Sequence, residues 1–393
     1  MAASRGFGHL LGGHPAGAGA RRGAGRNVTR VTTTDIWERL GDEYEEVVFC
    51  HDAPAGLRAI VAIHSTALGP ALGGTRFYPY ATGEDALADV LRLARAMTYK
   101  SALAGLDLGG GKAVIVGDPA SAKTEALLRA YARFLDSLGG RYLTAEDVGT
   151  TQADMDVIAR ETRCVTGVSP LLGGSGDPSE ATARGVWWAM GAAAEHMGED
   201  LGGLRVVVAG VGKVGSALAR LLAAGGSKVT VADVDRSAVD RLAGELGVEQ
   251  VDPAAAHTVE CDIFAPCALG GVLNARTIGE LRCRAVVGAA NNQLDTDDDA
   301  SRLAERGILY APDFMVNAGG VINIADELVG YHRERALDAV RRIGATTAEV
   351  LRRAEAAGTT TVDAAVSLAE ARIEAVSGTR RIRSFGPPAR RAG

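Results

Sequence analysis

Six consecutive residues, Gly210-Val211-Gly212-Lys213-Val214-Gly215, constrain this chain more than any other stretch. The pattern G-x-G-x-x-G is weak in isolation. Here an apolar run, Arg205–Ala209, leads into it, and a run with helical spacing, Val214–Ala224, leads out. A strand that enters a glycine turn and leaves as a helix is the opening unit of a dinucleotide-binding α/β fold. Gly210 permits the tight turn, Gly212 lets the backbone approach a pyrophosphate, and Gly215 allows close packing of helix on strand. The helix start adds free N–H groups and the positive end of its dipole. Asp233 closes the next apolar run, Lys228–Ala232. A carboxylate there accepts hydrogen bonds from an adenosine ribose and repels a 2′-phosphate, which favours NAD over NADP. Arg236 tempers this, because a nearby arginine accommodates that phosphate.

The surroundings repeat the alternation. A helix over about 181–197 precedes the motif. A helix over 236–246 and short apolar strands at 263–265, 285–289 and 309–311 follow it. Alternating strands and helices predict a parallel sheet covered on both faces. The region from Arg335 to Val376, rich in Ala, Arg and Glu, reads as helical. Upstream, Val47–Cys50 and Leu57–His64 read as strands joined through Asp52-Ala53-Pro54-Ala55-Gly56, a turn-forming sequence. Glu84–Lys100 places Leu87, Val90, Leu91, Ala94 and Met97 at helical spacing. A glycine run, Gly109–Gly111, then precedes a short strand at Ala113–Val116, and a second helix covers about 122–138. With 393 residues the chain exceeds what one core comfortably serves, so two domains are expected.

Residues 1–30 hold no acidic residue and little to bury, and read as a disordered leader. They loosely resemble a transit peptide; a leader with no role, or a start codon placed too early, accounts for them as well. Thr34 or Asp35 would cap a helix over Ile36–Leu40. The formal net charge of −6 argues against a nucleic-acid partner. No run approaches the roughly 20 apolar residues that span a bilayer. The five cysteines are irregularly spaced with no C-x-x-C pair, which reads as reduced thiols in a cytoplasmic enzyme without a structural metal.

Two of the five lysines, Lys100 and Lys112, stand out. Lys100 ends the apolar-striped helix, and Lys112 follows three glycines that let the backbone approach a neighbour closely. A lysine with little water around it, or beside another cation, has a lowered pKa and serves as a base. Two solvated lysines are an equally good reading of these segments alone. Asp147, within Thr144–Thr150, reads by pattern as a cap or turn residue.

The chain resembles the glutamate/leucine/phenylalanine/valine dehydrogenases. The resemblance runs from about Asp35 to Arg372. It is carried by Gly69–Arg76 (GPALGGTR), Met97–Lys100, Gly109–Lys112, Thr144–Thr150, Cys261–Gly271 (CDIFAPCALGG), Gly288–Leu294 (GAANNQL) and Ala311–Asn323 (APDFMVNAGGVIN). It is nearest to the leucine and actinobacterial valine enzymes. The resemblance implies a two-domain α/β fold. An N-terminal substrate and oligomerisation domain, 31–167, would be rejoined by the C-terminal helix, about 352–378. A Rossmann NAD-binding domain, 168–351, would face it across a cleft. It implies Lys112 as the catalytic lysine activating water, Asp147 as the proton shuttle and Lys100 as partner of the substrate α-carboxylate. Backbone at Gly73 would contact substrate, Thr182 would lie near the nicotinamide amide, and Asn292 near its ribose.

It also implies a side-chain pocket at Leu72, Ala145, Val321 and Ile324. Glutamate enzymes of the family carry Lys where Leu72 stands and Ser where Ile324 stands, so a glutamate carboxylate would be buried unpaired here. Ile324 is bulkier than the Val of typical leucine enzymes, which shifts preference toward valine. The expected reaction is reversible NAD-dependent oxidative deamination of a branched-chain L-amino acid to a 2-oxo acid and ammonia, by a homo-oligomer. The alternatives are a leucine- or phenylalanine-preferring dehydrogenase, or a catalytically silent NAD-binding regulatory protein.

Overall fold

The turn at Asp52–Gly56 folds the first strands back on each other as its chemistry predicts. β1 (Glu46–Asp52) and β2 (Leu57–Ser65) pair antiparallel, and the Ala55 N–H donates to Asp52 Oδ1 at 3.0 Å. The computed structural model describes Leu40 and residues 43–378. The expected leader, the helix at Ile36–Leu40 apart from its last residue, and the tail after Gly378 lie outside the described residues.

The chain continues through β3 (Ala71–Tyr78), α1 (Gly83–Leu103), β4 (Gly109–Val116), α2 (Glu125–Ser137) and β5 (Tyr142–Glu146). These strands form one sheet in the order β1-β2-β4-β3-β5, with β3 parallel to both β4 and β5. Sequence reading misses β3 and β5 and starts β4 at Ala113, leaving the glycine run outside the strand. All three strands are covered on both faces, so they lack the alternation that marks a half-buried strand. α1 runs on past Lys100 to Leu103. It starts at a capping box, where Thr82 Oγ1 accepts from the Asp85 N–H at 3.1 Å and Asp85 accepts from the Thr82 N–H at 3.0 Å. Leu87, Val90, Leu91 and Ala94 are buried.

The glycines of β4 decide how α1 sits. A Cβ on Gly110 would stand 2.0 Å from the backbone nitrogen of Thr98, and one on Gly111 2.8 Å from the Tyr142 ring. Helix and strand therefore touch backbone to backbone, which brings Lys100, two residues after Thr98, toward Lys112, two residues after Gly110. Gly110→Ala should lower the melting temperature by roughly 5 °C or more, because a backbone atom cannot step aside as a side chain does. A thermal melt within a degree of wild type would contradict this packing.

The second half begins with α3 (Ser179–His196), followed by β6 (Arg205–Ala209), α4 (Lys213–Ala224), β7 (Lys228–Ala232), α5 (Arg236–Leu246), β8 (Glu249–Gln250), β9 (Ile263–Pro266), β10 (Ala285–Val286) and β11 (Leu309–Tyr310). All six strands are parallel, in the order β11-β10-β9-β6-β7-β8. β10 is shorter than the apolar run 285–289, because the chain turns away at Gly288, where a Cβ would meet Pro266 O at 2.2 Å. Strand order reverses between β6 and β9, the switch point at which such sheets bind ligands beyond the carboxyl ends of their strands. The chain is thus a two-domain α/β protein.

α6 (Gly319–Ala325) precedes two long helices, α7 (Arg333–Ala357) and α8 (Thr361–Ser377), where sequence reading gave one continuous region; Gly358 caps α7 in the left-handed conformation. α8 returns to the first half. Arg372 donates to the carbonyls of Ala102 at 2.9 Å and Leu106 at 2.8 Å and pairs with Asp107 at 3.1 Å. The five cysteines are free thiols. No described helix is long and apolar enough to cross a membrane.

Candidate active site

Nine of the residues singled out in the sequence line one cavity of about 270 Å³. Leu72 and Gly73 come from β3, Lys100 from α1, Lys112 from β4 and Ala145 from β5. Asp147 follows β5, Asn292 lies in the loop after β10, and Val321 and Ile324 come from α6. Lys112 is buried and its ammonium pairs with Asp147 Oδ2. Asp147 Oδ1 accepts from the Val148 N–H at 2.6 Å and lies 3.8 Å from the Arg76 guanidinium. Burial alone raises the Asp147 carboxyl, but Lys112 and Arg76 outweigh it and hold the group below the usual carboxylate range. Lys100 is affected in the other sense. Burial pushes it down to about 8, with repulsion from Lys112 added, against the pull of Asp313 and Asp147.

One end of the cavity is charged and the other apolar. Leu72 is fully buried and packs with Leu108, Leu143 and Cys164, and Val321 and Ile324 close against the same cluster. Two cations and a carboxylate at one end, with aliphatic walls at the other, suit a small zwitterion bearing an apolar side chain.

Four charged residues in or beside the cavity, Asp313, Arg76, Asp89 and Arg92, had drawn no role from the sequence. Asp313 lines the cavity, accepts from the Gln293 N–H at 3.2 Å and the Phe314 N–H at 2.8 Å, and is held above the ordinary carboxylate range by burial that Lys100 only partly offsets. After a proline it reads as a helix start. Arg76 pairs with Asp89 at 2.8 Å, and Asp89 also accepts from Tyr80 Oη at 2.6 Å and Arg92 at 2.8 Å. Arg92 in turn donates to Asn292 Oδ1 at 3.3 Å, linking α1 to the loop after β10. Asn292 has φ 51°, the one described non-glycine residue with positive φ. The Arg92–Asn292 pair spans 200 positions of sequence, and no local pattern announces it.

The glycine motif forms a separate feature at the tip of β6. Gly210 has φ 109°, and a Cβ on Gly215 would stand 1.8 Å from Gly210 O. A Cβ on Gly212 would meet nothing within 4 Å, so the first turn of α4 faces open space. Asp233, at the end of β7, accepts from the Val211 N–H at 2.7 Å and the Asp235 N–H at 2.9 Å, which leaves each oxygen a further lone pair. Backbone donors, open space above Gly212 and a carboxylate beside it fit a dinucleotide. Thr182, in the first turn of α3, lies outside the cavity lining; its Oγ1 accompanies Gly320, the residue before Val321.

Comparison with known proteins agrees with this arrangement. The family model for the Glu/Leu/Phe/Val dehydrogenase dimerisation domain matches residues 44–164, and that for the Glutamate/Leucine/Phenylalanine/Valine dehydrogenases matches 173–241 and 234–379. The chain belongs to this family. It is 53% identical over 340 residues to a leucine dehydrogenase of Geobacillus stearothermophilus, covering 86% of this chain and 93% of that one. Identity to a valine dehydrogenase of Streptomyces coelicolor is 52% over 336 residues, 84% of this chain and 92% of that one. Among solved structures, an L-tryptophan dehydrogenase from Nostoc punctiforme matches with TM-score 0.78 and 42% identity, covering 88% of this chain and 99% of that one. The chain is an amino-acid dehydrogenase.

Proposed function

We infer that this dehydrogenase catalyses reversible NAD-dependent oxidative deamination of a branched-chain L-amino acid, valine preferred and leucine and isoleucine accepted. The reading rests chiefly on the cavity, where Lys100, Lys112 and Asp147 face the aliphatic wall of Leu72, Val321 and Ile324. Amino acid, water and NAD⁺ give 2-oxo acid, ammonium, NADH and a proton. The names of the leucine and valine relatives support the substrate class. Residues 31–167, with the helix at about 352–378, form the substrate and oligomerisation domain. Residues 168–351 form the NAD domain. The enzyme is a cytoplasmic homo-oligomer.

Gly210, Gly212 and Gly215 hold the pyrophosphate, Asp233 the adenosine ribose, and Asn292 and Thr182 the nicotinamide end. When bound, the nicotinamide supplies a hydride acceptor for the substrate Cα. Lys100 binds the substrate α-carboxylate through charge-assisted hydrogen bonds, and backbone at Gly73 contacts the substrate. Lys112 activates the water that adds to the imine carbon. Asp147, ionised between Lys112 and Arg76, takes and returns the proton of the substrate nitrogen. The walls exclude bulk water, which strengthens each of these charges. Leu72, Ala145, Val321 and Ile324 select the side chain; a methylene more or less is worth about 1–3 kcal/mol there.

The deciding experiment follows NADH oxidation with ammonia and either 3-methyl-2-oxobutanoate or 2-oxoglutarate, repeated with NADPH. Turnover of the branched oxo acid with NADH is expected. Preference for 2-oxoglutarate would overturn the substrate, and equal use of NADPH the role of Asp233. The same assay reports on Lys100. With its pKa near 8 it carries charge below that pH and loses it above, so the KM for the anionic oxo acid should rise about tenfold per pH unit once pH passes about 8. Lys100→Arg should move that limb upward, and a KM flat to pH 9.5 would remove Lys100 from carboxylate binding.

A further inference from the structure

The side-chain pocket has two walls that belong to different parts of the fold. Leu72 lies on β3, and β3 pairs with β5 at Leu72↔Leu143. β5 is stitched to the segment that leaves the first sheet: the Thr144 N–H donates to Cys164 O at 2.9 Å and the Thr166 N–H to Thr144 O at 2.8 Å. The opposite wall, Val321 and Ile324, lies on α6. The walls meet through apolar contact among Leu72, Cys164, Val321 and Ile324. Apolar contact is non-directional and sets no exact distance.

Glu327 lies in the turn Asp326–Val329 that follows α6. Its Oε2 accepts from the Gly167 N–H at 2.9 Å, and its Oε1 accepts from the Ser175 N–H at 2.8 Å and the Ser175 hydroxyl at 2.6 Å. Gly167 and Ser175 bound the loop that joins the first sheet to α3. That loop is folded firmly. A Cβ on Gly174 would stand 1.8 Å from Val168 O, and the Ser169 N–H donates to Asp156 at 2.8 Å. Glu327 thus grips both ends of a stiff linker from the turn that directly follows the helix carrying the far wall. Among the described residues no ion pair to Glu327 is formed; its partners are N–H and O–H groups. Burial lifts its carboxyl above the ordinary range despite the donors from Ser175, Gly167 and Val168.

We propose that Glu327 is a positioning residue that pins α6 to the interdomain linker, fixes the separation of the two pocket walls and so sets which side chains the enzyme accepts. The proposal rests on the branched-chain reading above. Glu327 is not among the residues that line the cavity, so it would act through α6 and not by contact with substrate.

The test uses the full-length enzyme with Glu327→Ala, Glu327→Gln and Ser175→Ala. Glu327→Ala should raise the KM for 3-methyl-2-oxobutanoate about tenfold, with kcat within about threefold, and lower the preference for it over phenylpyruvate about tenfold. Glu327→Gln keeps one acceptor and should fall between. Ser175→Ala removes one hydroxyl and should lower the preference about threefold. Amide hydrogen exchange over 319–329 should quicken in the same order while exchange in β6 and β7 stays as in wild type. Should Glu327→Ala fail to fold, Ser175→Ala decides. Unchanged preference in the folded variants, or unchanged exchange over 319–329, overturns the proposal. A wild-type enzyme that turns over none of these oxo acids sinks the substrate reading, while the exchange experiment still decides whether Glu327 is a clamp.

Discussion

Lys112→Ala should lose about 10³-fold or more of kcat in the NADH-coupled assay while binding NADH within about twofold of wild type, read by fluorescence titration. Two losses combine. The base is removed from a nearly dry position, where its side chain is 9% exposed and water has little room to replace it. Asp147 also loses its closest cation and keeps the Val148 N–H, an arginine 3.8 Å away and the attraction of Lys100. Its carboxyl, now held down mainly by Arg76 against the cost of burial, rises, and its proton is no longer exchanged at the same pH. The glycine motif lies at the tip of β6, apart from this pair, so cofactor affinity is the internal control. Turnover equal to wild type would remove Lys112 from the chemistry.

Leu72→Lys should lower kcat/KM for 3-methyl-2-oxobutanoate by about 10²-fold or more. Leu72 has no exposed surface, and its neighbours are Leu108, Leu143, Cys164, Val321 and Ile324. An ammonium placed among them has no carboxylate to meet and pays several kcal/mol in desolvation, or sheds its proton. Either form spoils an aliphatic pocket. Adding Ile324→Ser supplies a hydroxyl, and the double variant should gain measurable turnover of 2-oxoglutarate. A Leu72→Lys enzyme that still prefers the branched oxo acid would mean that Leu72 belongs to the core behind the pocket and not to its wall. Melting curves separate this from unfolding, since losing a buried leucine contact costs about 2–5 kcal/mol in its own right.

Much of the parallel sheet was legible in advance. β6, β7 and α5 fall within a residue of where apolar runs and helix periodicity place them, because each signal is local: a strand, a tight turn and a helix in immediate succession. β3 and β5 were not, although Gly73 and Ala145 on them had drawn attention through the family resemblance. Both lie inside a sheet covered on two faces, where apolar and polar residues do not alternate. The glycines before Lys112 were read correctly as allowing a close approach, but not as the start of β4. What approaches is α1 at Thr98, a fact about helix on strand that spacing along the chain does not contain.

The chemistry of the site divides the same way. Residue types and local order already specify a glycine turn for a dinucleotide, two lysines in apolar settings and aliphatic residues where a glutamate enzyme has polar ones. Which charges meet is decided by the fold alone. Lys112 pairs with Asp147, Arg92 reaches Asn292, and Glu327 holds Gly167 and Ser175, each across separations from 35 to 200 residues. Hydrogen bonds and ion pairs act over a few ångströms. Turns and helices are set by neighbours in sequence, but a partner that near in space is fixed only once sheets and helices have packed.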